Sequence, residues 1–210
     1  MSSLDTPAAN LGLRERKKQQ TRETIARAAL RLFAERGYDE TTLADIANAA
    51  NVAPRTIFAY FESKEDILLC EENGYLTALK RRLDERPAGS TTVDAIRGFL
   101  SSVEHPDEEA KLRKQVIAAN PDLQVKMRGR HAQLEPMLAE SIAQDLGAEP
   151  GDIRSLLIAA SMATAFTSVS DRIFAAEAAG EPLPPGEGMA ILDQVLEFLR
   201  GGLEALQRDG

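Results

Sequence analysis

Apolar residues recur at helical spacing along almost the whole chain. Ile25, Ala28, Ala29, Leu32 and Phe33 fall at i, i+3, i+4, i+7 and i+8, one buried face of a helix over about 14–36 that Gly37 ends. Leu43, Ile46, Ala47 and Ala50 make a second stripe, only two turns long. Thr42 before it, with Asp45 three residues on, reads as a capping box. Asn51 stands where the chain must turn, and Asn tolerates the left-handed conformation. Pro54 suits the first position of a third helix, where its missing N–H would be unpaired anyway. Ser63, with Asp66 three residues on, caps a fourth helix over 64–86, with Ile67, Leu68, Tyr75, Leu76, Leu79 and Leu83 on its apolar side.

Five further helices follow from the breakers alone. They cover about 92–103, 108–119, 123–146, 153–179 and 189–207. Pro136 lies inside the third of these and predicts a kink or break there. Asp152 caps the fourth, and a Pro/Gly loop over 180–188 separates the last two. The last two are apolar on more than one face. Ile153, Leu157, Phe166 and Ile173 on one, and Leu192, Val195, Leu196, Leu199 and Leu203 on the other, fit two readings. They are core helices, or they form a two-fold interface in which both helices pair with their copies as a four-helix bundle.

Composition narrows the class. Hydrophobic residues are 43% of 210, enough for a real core, and strand-type alternation is almost absent, so the fold class is all-α. No apolar run approaches the ~18 residues of a membrane span. Residues 1–13 read as a flexible arm without signal-peptide character. One cysteine, Cys70, excludes an intrachain disulfide, which together with these features favours the cytoplasm.

Charge changes the picture further. The net charge is −8, yet residues 1–66 hold 10 basic and 10 acidic side chains, so the acidity lies beyond them. Arg14, Arg16, Lys17, Lys18 and Arg22 cluster against one acid, Glu15. The stretch is either a solvated helix start or a set of phosphate contacts. The two short helices over 43–57 cannot be stable alone. They make sense if they pack on neighbours and present the second helix to the major groove of DNA.

The segments Thr24–Phe33 with Gly37-Tyr38, Thr41–Ala47, Val52–Phe61 and Ser63–Leu68 together resemble the TetR family of bacterial transcriptional regulators. The resemblance covers about 18–78. It implies a nine-helix homodimer whose first three helices bind a palindromic DNA operator and whose body binds a small-molecule effector and dimerises. The corresponding layout is an arm over 1–13, a DNA-binding domain over 14–63, a linking helix over 64–86 and an effector and dimerisation domain over 87–210. It implies phosphate contacts at Thr42, Tyr60 and Lys64, joined by Lys18 and Arg22 of the basic stretch. Ala53, Pro54, Arg55 and Thr56 lead the recognition helix. Arg55 can grip guanine O6 and N7 with two bonds, or else a phosphate, and Pro54 and Thr56 can meet a thymine methyl. Phe58 faces either groove or core, whereas Ile57 and Phe61 belong to the core. The family often has Ser or Thr where Ala53 stands, so this helix start forgoes about 0.5–2 kcal/mol of capping.

Catalytic chemistry is hard to find. The two histidines, His105 and His131, have no partner at metal-ligand spacing, and there is no Gly-rich phosphate loop. Cys70, beside Leu68 and Leu69, reads as a small buried hydrophobe. No cofactor or metal is expected. Tyr75, Met127, His131, Met162 and Phe166 are the effector-pocket candidates, chosen by helix and residue type. His131 either donates a hydrogen bond to a ligand or is a structural histidine. The expected function is a homodimeric repressor, not an enzyme, released from DNA by its effector. A helical small-molecule carrier and an all-α enzyme are the alternatives, and the basic stretch with Arg55 and the missing catalytic constellation argue against them.

Overall fold

A computed structural model describes residues 12–102, 108–184 and 186–208. The described residues are helical with no strand. Eleven helices follow in order: α1 Leu13–Arg36, α2 Leu43–Ala49, α3 Pro54–Ile57, α4 Lys64–Leu68, α5 Cys70–Asp84, α6 Thr92–Ser102, α7 Glu108–Ala118, α8 Pro121–His131, α9 Leu134–Asp145, α10 Ile153–Ala178 and α11 Glu187–Arg208. The arm expected over 1–13 lies outside the described residues except for Gly12 and Leu13, and so does His105.

Nine helices become eleven because two of the expected ones are broken. The helix expected over 64–86 breaks at Leu69. Leu69 leaves helical geometry there (φ −97°, ψ 11°), and Ile67, Leu68 and Leu69 are all buried. The helix expected over 123–146 breaks at Ala132-Gln133, one turn before Pro136, whose missing N–H would have bonded the Ala132 carbonyl in a continuous helix. Pro136 instead takes the third position of α9, where its missing N–H has no intrahelical acceptor.

The chain forms two compact units. The first takes in the described residues up to Asn73 and those of α7 up to Val116; the second holds Gly74–Ser102 and the residues from Ile117 on. This division falls inside α5, within the stretch the sequence suggests as a linking helix over 64–86.

In the first unit, α1 packs on α2 and α4, and α2 on α3. Ile25, Ala29, Phe33, Ile46, Ala47, Ile57, Phe61 and Ile67 make its core, largely the stripes read from spacing. The start of α7 belongs here too. Arg27 Nε pairs with Glu109 at 2.8 Å, and the buried Arg113 with Glu71 at 2.6 Å. No local sequence pattern announces that docking.

The second unit is built on α10, which packs on α8, α9 and α11. Leu79, Leu83, Ile96, Leu138, Ile142, Ala159, Met162 and Leu196 form its core. A buried polar cluster ties it together. Arg86 pairs with Asp145 at 2.8 Å and donates to Ser141. Thr92 donates its backbone N–H to the second Asp145 oxygen at 2.7 Å. Each buried charge therefore has an opposite charge and hydrogen bonds, as burial requires.

Candidate nucleic-acid interface

Local chemistry builds the interface from the caps outward. The capping box at α2 is complete. The Thr42 hydroxyl accepts from the Asp45 N–H at 3.1 Å, and Asp45 accepts from both the Thr42 N–H and its hydroxyl. Those bonds hold the Asp45 carboxyl below its usual range. Asn51 adopts φ 54°, the only positive φ among described non-glycine residues, and makes the turn. Ala53 is extended (φ −67°, ψ 143°), as a residue before proline prefers, and makes no side-chain cap. Pro54 opens α3.

The resulting helix is a single turn with one face in and one face out. Ile57 is fully buried and Phe61 nearly so. Ala53, Pro54 and Arg55 are exposed, and Thr56 is half-buried. Phe58 is 64% exposed, so it faces outward rather than into the core. Arg55 forms no hydrogen bond or ion pair among the described residues and is free to reach a ligand.

The expected phosphate contacts divide. Lys18 is exposed and shares a cleft of about 340 Å³ with Arg14, Lys17, Thr21, Ala59 and Tyr60. Arg22 turns inward instead. Its Nη1 donates to the Tyr60 carbonyl at 3.2 Å, and its guanidinium lies 4.6 Å from the Phe61 ring centroid. Lys64 is more fully occupied. Its ammonium donates to the carbonyls of Tyr38 (2.8 Å), Thr41 (2.9 Å) and Asp39 (3.3 Å) and sits 4.5 Å from the centre of the Tyr38 ring. An ammonium has three protons, so all of them have acceptors inside the unit. Burial and the neighbouring Glu65 carboxylate push the Tyr38 phenol up, keeping it neutral under Lys64. The Thr42 hydroxyl gives its proton to Asp45, so a phosphate could take that proton only if the capping box opened.

Met162 is in the core of the second unit, Met127 is buried, and Phe166 and Tyr75 pack against that core. Tyr75 meets Phe99 edge-on at 6.5 Å. His131 is half-buried, its Nδ1 3.4 Å from Thr167 Oγ1, and burial lowers its pKa against the pull of Asp171. Two surface clefts among the described residues of this unit are set out by their linings. One is lined by Leu76, Lys80, Arg81 and Met137, the other by Arg97, Leu100, Met189 and Leu196, and none of the five candidates lines either.

Of the interface candidates, Ile153 is 64% and Leu157 62% exposed, and neighbouring α11 exposes Phe198 at 79%. Phe166, Ile173, Leu192, Val195 and Leu199 are half-buried. Leu196 is buried in its own unit and so is not available to a partner, which corrects its assignment. The Leu203 side chain lies outside the described residues. By length and composition α10 is apolar enough to cross a bilayer, with only 28% of its most apolar stretch buried. Its packing on three helices and the Arg128–Asp171 pair at 2.9 Å make it a core helix with an uncovered side.

A short outward-facing helix carrying a free arginine, backed by a three-helix core and flanked by a cationic cleft, defines a helix-turn-helix DNA-binding regulator. Known proteins agree. Residues 25–69 match the family model for bacterial regulatory proteins of the tetR family, and residues 87–204 match the MftR C-terminal domain. The chain belongs to the TetR family of transcriptional regulators. It is 32% identical over 163 residues to the helix-turn-helix regulator TcmR of Streptomyces glaucescens, covering 70% of this chain and 72% of TcmR. It is 29% identical over 151 residues to MftR of Mycobacterium tuberculosis, named for the regulation of mycofactocin biosynthesis, covering 70% and 76%. Among solved structures, the repressor FadR of Thermus thermophilus in complex with lauroyl-CoA superposes with a TM-score of 0.56 at 26% identity, over 86% of this chain and 94% of FadR.

Proposed function

We propose that this protein is a homodimeric repressor that holds a palindromic operator and releases it when a small apolar effector binds the helical body. The observation that carries the reading is Arg55, exposed and unpaired on a helix whose opposite side, Ile57, is fully buried. A guanidinium presented in this way can take both acceptors of a guanine edge. Two copies dimerised through α10 and α11 would set two recognition helices about one DNA turn apart, in successive major grooves. An effector with greater affinity for a conformation of different spacing would shift the population away from DNA. The protein would work in the cytoplasm, where its operator is. FadR, solved as a repressor with lauroyl-CoA, supports the sign of regulation and a ligand that carries an apolar chain. No catalytic role is assigned.

Selection of duplexes from a random pool by the full-length protein tests the reading. An inverted repeat should emerge, and Arg55→Ala should lose ~1–3 kcal/mol on it while keeping non-specific binding. Failure to enrich any repeat would sink the operator model. Equal losses on selected and scrambled duplexes would make Arg55 a phosphate contact.

A further inference from the structure

We propose that the cleft between α5 and the α8–α9 break seats a single-chain zwitterionic amphiphile, one whose anion lies next to its apolar chain and whose cation is terminal. The inference rests on the effector reading above and gives that ligand a site and a charged head.

The cleft belongs wholly to the second unit and encloses about 460 Å³, within the range of small-molecule sites. Leu76, Lys80, Arg81, Asp84 and Glu85 wall it on α5. Gln133 lines it from the break and Met137 from α9.

Helical spacing sorts the α5 wall into layers. Leu76, Lys80 and Asp84 stand at i, i+4 and i+8, and Arg81 and Glu85 follow the last two by one residue each. One end of the wall is therefore apolar, the middle basic and the far end acidic. Leu76 and Met137 are half-buried and pack against the core of the unit, so the apolar end is a floor that a chain can cover. Met137, unbranched and polarizable, adapts its shape to such a chain.

Pairing decides which charges a ligand can use. Lys80 Nζ donates to both Asp84 oxygens, at 3.1 and 3.0 Å, so this pair is closed. Arg81 and Glu85 have the same spacing and both are exposed, yet neither side chain forms an ion pair or hydrogen bond among the described residues. The open cation lies on the apolar side of the open anion, about 6 Å along the helix axis. A ligand that satisfies both carries its anion nearer the chain and its cation beyond it. A phosphocholine head has that order, and a sulfobetaine head has the opposite one. Both have no net charge, so long-range attraction does not separate them. Gln133, exposed at the N-cap of α9 and making no cap bond with its side chain, adds a neutral donor and acceptor to the lining.

Calorimetric titration of the full-length protein, without DNA and below micelle-forming concentrations, compares dodecylphosphocholine with dodecyl sulfobetaine. The phosphocholine should bind once per chain and about fivefold tighter, the scale of two exposed ion contacts. The exchange variant Arg81→Glu with Glu85→Arg reverses the order of the charges and should reverse the preference. Both positions are exposed, and an unchanged thermal midpoint checks that the variant folds. Arg81→Gln alone should shrink the preference, and Met137→Glu should weaken both detergents alike. Equal affinities in the wild type overturn the site, as does a preference that the exchange leaves in place. Phosphatidylcholine vesicles sedimented with the protein should leave it in the supernatant. Co-sedimentation would mean that the head is read on a bilayer, and overturns the single-chain ligand. Binding with the expected preferences, but without release of a selected duplex by the phosphocholine, would reject the effector reading and leave the cleft assignment standing.

Discussion

His131 has a setting that makes its titration legible. Its ring is half-buried on α8, Thr167 faces Nδ1 at 3.4 Å, and the Asp171 carboxylate nearby is shared with Arg128. Burial depresses its pKa more than Asp171 raises it. The unfolded chain therefore takes up this proton near pH ~6.5, before the folded chain does. Below that pH the unfolded state binds more protons, so stability falls with pH until the folded value is passed. His131→Asn should remove this part of the pH dependence. Thermal midpoints at pH 5.5 and 7.5 check it: wild type should lose more than the variant, and equal losses would mean that burial does not govern the ring. The same scale shows what residue type hides. Lys18, Arg22 and Lys64 look alike in sequence as cations near a recognition helix. One faces solvent and two face carbonyls, a difference fixed by chain segments up to 38 residues away.

The element that most depends on its neighbours is the α2–turn–α3 segment. Its caps were readable because they are local. Thr42, Asp45, Pro54 and Ser63 act within three or four residues of themselves, and Asn51 supplies its own left-handed turn. Asn51→Ala should destabilise the segment by about 1 kcal/mol, since a Cβ disfavours this region and Ala lacks the Asn compensation. Asn51→Gly should hold stability within about 0.5 kcal/mol or improve it. Hydrogen exchange of the α2 and α3 amides reads both variants. Equal protection in Ala and wild type would show that the turn relaxes. The two helix breaks were less readable. The α4–α5 run breaks at Leu69, where no Gly or Pro announces it. Pro136 does break its run, but the break falls a turn earlier, at Ala132-Gln133, and leaves the proline in the first turn of α9.

For the whole molecule, the uncovered apolar residues of α10 and α11 carry the prediction. Leu157→Glu with Phe198→Glu should yield a monomer by light scattering, because both side chains are largely exposed and neither supports its own unit. Operator affinity should then fall steeply, since one half-site supplies only half the contacts. A variant that stays dimeric would move the interface off these residues. The sequence by itself determined the all-helical class, the caps and the core of the DNA-binding unit. Each of these follows from periodicity or from chemistry acting over a few residues. Tertiary structure alone decided that Lys64 and Arg22 turn inward, that the start of α7 joins the first unit and that Leu196 is core. Those outcomes depend on which distant backbone carbonyls and side chains come within bonding distance, and no local pattern encodes that.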